Sequence, residues 1–327
     1  MMMSDFFDLS IDEQIKSFSK SATILLRNYG VEDAEIKCIN YEFNATFSVV
    51  TQSGQKFALR ININSTRSPE NMRAEVEWVN SLSRTPGINI PRPIANGSDQ
   101  FISSLFHEDS GRTLHSILFT WLEGEELGDE ASADQMFTVG AAMATLHQSS
   151  QAFTLTPPAE LPTFDDWLWG TEDYLLSDKS QLTAAQQLII GDAVQIIESD
   201  TSALYSSTPT QIIHGDLHGW NLMWHEGVLS IFDFDDCGFG IPQQDLAVCL
   251  YYLDTPEQKE ALLTGYQSIQ QLPAYTQKQM ASLLLQRRLV LLNYLYETSN
   301  PEHRAMLPVY LEKTMERIAG FLTDVRG

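Results

Sequence analysis

The stretch from residue 209 to 245 is committed to a loop followed by a hairpin, and nothing else in the chain constrains the fold as strongly. Residues 209–213 read as a short extended approach. Glycines at 215 and 219 then interrupt the polar run His214-Gly215-Asp216-Leu217-His218-Gly219-Trp220-Asn221, which argues against a helix. Leu222-Met223-Trp224 reads as a strand, His225-Glu226-Gly227 as a turn, and residues 228–232 as the return strand. The hairpin folds Asp233 back toward Asn221.

A carboxylate, an amide five residues later and a second carboxylate beyond a hairpin form the donor set that phosphoryl transfer uses. That reaction needs a base near the acceptor hydroxyl and hard oxygen ligands for magnesium beside the phosphates. On this pattern Asp216 is the base, and Asn221 and Asp233 are the metal ligands. Two other readings compete. An acidic surface loop leaves the regular order of the polar positions unexplained. A zinc site built from His214, His218, Asp216 and Asp233 needs the two histidines on one helix, which the glycines oppose.

The motif, continued by Ile231-Phe232-Asp233-Phe234 and by Asp245-Leu246-Ala247, resembles that of the aminoglycoside phosphotransferase family. The family includes choline kinases, homoserine kinases of the protein-kinase-like type and a stress-response protein kinase. The resemblance implies that Asp216 is catalytic, that Asn221 and Asp233 bind magnesium, and that Asp245 braces the catalytic loop from the next helix. Gly219-Trp220 stands where many relatives have Pro-Gly.

The rest of the chain fits a two-part α+β plan. Ser10 opens an amphipathic helix with Glu13 placed for a capping box. Strands are expected over 35–39, 45–51 and 56–61, the last two joined by a turn at Gln52-Ser53-Gly54-Gln55. Pro69 begins a helix reaching about residue 82, and two more strands follow near 100–106 and 114–122. Beyond Gly124 helices are expected over 129–147, 183–199, 257–267, 275–298 and 301–324. Strands followed by helices argue for α+β. The resemblance makes this a protein-kinase-like two-lobe fold: an N-terminal nucleotide-binding lobe over 1–122, an antiparallel sheet with a helix, and a mainly helical C-terminal lobe over 123–327.

The resemblance also supplies a nucleotide site. No glycine-rich loop is present, and Asn44, Ala45 and Thr46 stand at the corresponding hairpin, where their backbone N–H groups would face the phosphates. Arg60 occupies the strand position of the phosphate-binding cation, with Glu75 as its helix partner; Glu77 lies on another face. Backbone groups from Phe119 to Trp121 would meet the adenine edge. His147 reads as structural.

The formal net charge of −23, from 43 acidic and 20 basic residues, disfavours nucleic acid and anionic membranes as partners. No apolar run is long enough to span a bilayer; the most apolar late segment is broken by Gln286-Arg287-Arg288. Met1-Met2-Met3-Ser4-Asp5 lacks the features of a signal peptide, and Cys38, Cys237 and Cys249 show no paired spacing. A cytoplasmic protein with reduced thiols is expected.

The resulting expectation is an ATP- and Mg2+-dependent phosphotransferase acting on a hydroxyl of a small molecule: an amino alcohol, a hydroxy amino acid or an aminoglycoside-like compound. Asp165, Asp166, Trp167 and Glu172 are candidate walls of an acceptor pocket, and their acidity suits an amine-bearing alcohol. The alternatives are a stress-response-type protein Ser/Thr kinase, a non-catalytic nucleotide-binding pseudokinase and, more remotely, a metal-dependent hydrolase. Only residues 234–244 separate Asp233 from Asp245, which is short for the peptide-docking segment of a protein kinase. No catalytic position is broken, as a pseudokinase would require.

Overall fold

A computed structural model describes residues 6–298 and 300–326; the N-terminal Met1-Met2-Met3-Ser4-Asp5 lies outside them. The chain divides into two compact units. The first comprises the chain up to Gly124 together with Thr154–Glu160 and Ser230–Asp235. The second comprises Glu125–Phe153, Leu161–Leu229 and the chain from Asp236 onward.

In the first unit, helix α1 (Ile11–Asn28) starts at the capping box predicted for Ser10 and Glu13. Strands β1 (Glu35–Tyr41), β2 (Asn44–Val50) and β3 (Lys56–Asn62) form an antiparallel meander. Helix α2 (Pro69–Leu82) has Ser68 as its N-cap and proline in the first turn. Strands β4 (Pro93–Ile94), β5 (Ile102–His107) and β6 (Arg112–Thr120) complete a sheet of order β1-β2-β3-β6-β4, with β5 also paired to β6. Alternation places Ala45, Phe47 and Val49 of β2 and Phe57, Leu59 and Ile61 of β3 in one core with Phe18, Ala22 and Leu25 of α1. The opposite face of β3 is where Arg60 is held.

The second unit begins with the short strand β7 (Glu125–Glu126) and helix α3 (Ala133–Gln151). Helix α3 starts at the Ser132 cap, several residues later than the sequence pattern suggests, with Met136, Val139, Met143 and Leu146 buried as expected. Helix α4 (Ala184–Ser207) runs well past the expected end at 199. Asp200, just past that expected end, is buried and accepts hydrogen bonds from Ser282 Oγ at 2.6 Å and Lys278 Nζ at 3.1 Å. Strand β8 (Gln211–Ile213) leads into the 214–221 loop, and β9 (Leu222–His225) and β10 (Val228–Ile231) flank the expected turn. Strand β11 (Gly238–Gly240) pairs with β8.

Four helices follow: α5 (Pro242–Tyr251), α6 (Pro256–Gln267), α7 (Gln277–Glu297) and α8 (Pro301–Arg326). Helices α3 and α6 meet through glycines. A Cβ on Gly140 would lie 2.0 Å from Leu262 O, and one on Gly265 would lie 1.9 Å from Phe137 O. Helices α4, α7 and α8 share a core around Ile190, Ile197, Leu289, Leu292 and Ile318. No helix among the described residues is long and apolar enough to cross a membrane.

Candidate active site

The 214–221 loop, which carries the residues expected to be catalytic, lies wholly in the second unit. Asp245, fully buried in the first turn of α5, accepts hydrogen bonds from His214 N at 2.9 Å and Gly215 N at 2.8 Å. His147 Nε2 lies 3.0 Å from the same carboxylate, and His147 Nδ1 lies 2.9 Å from the Tyr266 hydroxyl. Asp245 thus ties the start of the loop to both α5 and α3. Burial alone would raise its carboxyl, but His147, His214 and the Gly215 N–H hold it below the usual range. Gly215 has a φ of +81°, and a Cβ there would lie 2.6 Å from Asp236 O, so only glycine fits.

Asp216 emerges from this braced segment. Asn221 Nδ2 donates to the Asp216 carbonyl at 2.8 Å and to its carboxylate at 3.0 Å. His218 Nε2 lies 3.2 Å from the same carboxylate oxygen, while its Nδ1 accepts from Trp220 N at 3.3 Å. Both nitrogens of His218 therefore serve the loop. Among the described residues no cluster of three His, Cys, Asp or Glu side chains has metal-holding geometry. Gly219 is also explained: a Cβ there would lie 1.8 Å from Gly128 O.

The other Asp216 oxygen is taken by Arg287 of α7, which forms a close ion pair with it. Burial would raise the Asp216 carboxyl, but Arg287 first, then His218 and His214, outweigh it and hold it well below the carboxylate range. Sequence reasoning missed Arg287. Its only trace there is a pair of arginines breaking an apolar helix, which was read simply as evidence against a membrane span.

In the first unit, Arg60 of β3 is buried and paired with Glu75 of α2, with Asp235 Oδ1 at 3.6 Å. Burial opposes its charge, but Glu75, Asp235 and Asp233 outweigh burial and keep the guanidinium firmly protonated. Glu77 instead accepts a hydrogen bond from Thr156 N at 3.0 Å. Asp235 also accepts from Asn44 Nδ2 at 2.8 Å. Asp233 is exposed and left-handed, with a φ of +59°, a conformation that a non-glycine residue adopts at an energetic cost.

The phosphate-facing hairpin differs from expectation. Asn44, Ala45 and Thr46 lie within β2: Ala45 and Thr46 pair with both β1 and β3, and Asn44 pairs with Asn62. The turn is one step earlier, at Glu42-Phe43, so the ladder engages the backbone groups expected to be open. What Asn44 presents instead is its side chain, whose Oδ1 is buried without a partner. Phe119 is likewise inside β6, paired with Ala58 and Pro93, and Thr120 N donates to Arg92 O. Trp121 is the first residue past this pairing. The proposed acidic pocket walls have local partners. Asp166 accepts from Leu168 N and Gly170 N at 2.7 and 2.6 Å, and Glu172 pairs with Lys179.

A sheet-then-helices fold with a loop-held Asp–Asn pair defines a phosphotransferase of the protein-kinase-like fold. A solved structure of a microcompartment-associated aminopropanol kinase has this fold, with a TM-score of 0.78, 22% identity, and coverage of 94% of this chain and 98% of that one. Amicoumacin kinase hAmiN, solved with AMP-PNP, Ca2+ and Ami, gives a TM-score of 0.69 at 16% identity, covering 92% and 93%. In sequence, the amicoumacin kinase of Bacillus subtilis (strain 168) is 21% identical over 248 residues, 74% of this chain and 71% of its own. The phosphotransferase enzyme family (APH) matches residues 41–278, and the chain belongs to it. It is accordingly a kinase-type phosphotransferase with an alcohol group as acceptor.

Proposed function

We propose that the protein transfers the γ-phosphoryl group of ATP to a hydroxyl of a small molecule with the help of magnesium. On this reading residues 1–122 serve the nucleotide and residues 123–327 the acceptor. The observation that carries it is the geometry around Asp216. Its backbone is fixed by the Asp245 brace, and its carboxylate is oriented by Asn221, His218 and Arg287.

The donor chemistry fits a hard cation. Asn221 engages the loop through its amide nitrogen, which leaves Oδ1 for a metal; Asp233 is exposed; and Asn44 Oδ1 is an orphaned buried oxygen. Asn221 and Asp233 are the proposed ligands. Magnesium, when bound, would supply the positive charge that offsets the charge of the phosphates. Arg60, kept charged by its acidic neighbours, would hold the phosphates of the nucleotide, with Glu75 fixing its fork. Backbone groups near Phe119 and Trp121 remain the proposed adenine contact, with the exposed share moved toward Trp121. Asn44, Ala45 and Thr46 remain near the phosphates on this reading, through the Asn44 side chain and not through an open loop.

Asp216 accepts the hydrogen bond of the acceptor hydroxyl and takes its proton late. A carboxylate with a lowered pKa is a weak base, which suits a reaction whose catalysis is chiefly positioning and electrostatics. The test is a coupled ADP-release screen, with and without Mg2+, over amino alcohols, hydroxy acids, sugars, aminoglycosides and generic protein substrates. Magnesium-dependent turnover of a small molecule is expected. Ser/Thr labelling of protein with no small-molecule turnover would reverse the reading.

A further inference from the structure

Helix α7 carries two adjacent buried arginines, Arg287 at 6% and Arg288 at 4% exposure. Arg288 is a structural arginine. Its Nε donates to Thr314 Oγ1 at 2.9 Å, Nη1 to the Tyr251 hydroxyl at 3.0 Å, and Nη2 to Tyr310 O at 3.2 Å. Arg287 differs. Its Nη2 meets Asp216 and the Tyr252 hydroxyl, the latter at 3.0 Å, while its Nε is buried with no partner. Buried donors are almost always satisfied, and an orphan is destabilising. A guanidinium presents its N–H groups as a fork matched to a carboxylate or phosphate, and on Arg287 part of that fork is unfilled.

Two more donors lie on the elements that pack around the catalytic loop. The Tyr252 hydroxyl accepts from Arg287, which leaves its own proton to donate. Burial raises its pKa and keeps it a phenol. The Tyr252 ring also packs on His218 at 4.5 Å. Trp169 Nε1 is buried without a partner, and Trp169 has a left-handed φ of +58°. Its ring stacks on Phe164, which in turn would be 3.3 Å from a Cβ at Gly215, beside Asp216. Gln286 Nε2 donates to Asp166 O, joining α7 to the same segment.

An unfilled guanidinium N–H on the arginine that touches Asp216, with the Tyr252 phenol beside it, describes what the acceptor brings. The carboxylates expected to attract an amine are engaged locally, and Asp216 already has a cation from the protein. We propose that Arg287, with Tyr252, recognises a carboxylate on the acceptor, so that the substrate is a hydroxy acid and not a simple amino alcohol. Because Arg287 touches Asp216 directly, the acceptor's hydroxyl and carboxylate lie only a few bonds apart. Binding the carboxylate engages the guanidinium and frees Asp216 for the hydroxyl. This inference rests on the reading of Asp216 as the base.

The test is calorimetry with a matched probe pair, 3-hydroxypropanoate and 1,3-propanediol, with and without Mg-AMP-PNP. Wild type should bind the hydroxy acid at least about tenfold more tightly than the diol. Arg287→Met should bring the two within about twofold, and Arg287→Lys, which keeps the charge but loses the fork, should fall between. Circular dichroism and thermal melts confirm that each variant folds. Equal binding of the two probes by wild type would overturn the inference, as would a preference that survives in Arg287→Met. Weakened AMP-PNP binding in Arg287→Met with an unchanged probe ratio would assign Arg287 to the phosphoryl group and also overturn it. Absence of AMP-PNP binding by wild type would instead count against the kinase reading, and the probe ratio without nucleotide still decides the carboxylate site.

Discussion

Asp245→Asn should be the most destabilising conservative change in the catalytic loop. The carboxylate is fully buried and takes three hydrogen bonds at 2.8–3.0 Å, from His214 N, Gly215 N and His147 Nε2. An amide keeps one acceptor oxygen and turns an N–H toward a donor. Bonds to a charged group contribute about 1.5–3 kcal/mol each, and breaking a buried charged contact costs about 3–5 kcal/mol. A loss of about 3–5 kcal/mol is therefore expected, with a melting point lower by on the order of 10 °C. The pH dependence supplies a second reading. The folded pKa of Asp245 is depressed, so its contribution is fully present above the unfolded value of about 3.9 and is lost as pH falls toward the folded value. Wild type should lose this increment below about pH 4, and Asp245→Asn should lack it. Urea titrations from pH 7 down to 3 measure both. A loss under about 1 kcal/mol at pH 7, with turnover intact, would refute the bracing role.

Arg60→Ala and Glu75→Ala should be strongly non-additive in kcat/KM, because each disables the same buried pair; strict additivity in the double-mutant cycle would separate them. Asp233→Ala should weaken binding of Mg-ATP far more than of metal-free ATP in calorimetry, and Asn221→Ala should do so more mildly; equal losses with and without metal would make these residues structural. Gly219→Ala should cost about 1–3 kcal/mol and lower turnover, since its Cβ meets the Gly128 carbonyl at 1.8 Å; a neutral effect on the thermal melt would show that the loop relaxes freely.

Local signals were legible wherever they act locally. The capping box at Ser10, the helix start at Pro69 and the turn at 225–227 appear where the sequence puts them, because a cap or a turn is decided by a few adjacent residues. The Arg60–Glu75 pair was legible only through the family resemblance. Helix α5 was not read from periodicity, because Pro242 through Leu250 are buried all round and show no polar face. The hairpin turn at Glu42-Phe43 was placed too late because neither residue is a turn-former, and the register is set by pairing with β3. Arg287 was invisible as a site residue because its partner lies far away in sequence and only the packing of α7 brings them together. The unfilled Nε of Arg287 belongs to tertiary structure alone.

The most direct measurement compares Asp216→Asn with wild type in single-turnover transfer of labelled γ-phosphate to whichever screened acceptor the wild type uses, alongside calorimetry of Mg-AMP-PNP. Loss of the base predicts transfer slower by roughly 10²–10⁴-fold with nucleotide affinity and thermal stability nearly unchanged. Transfer at close to the wild-type rate would contradict the assignment of Asp216 as the group that receives the acceptor's proton.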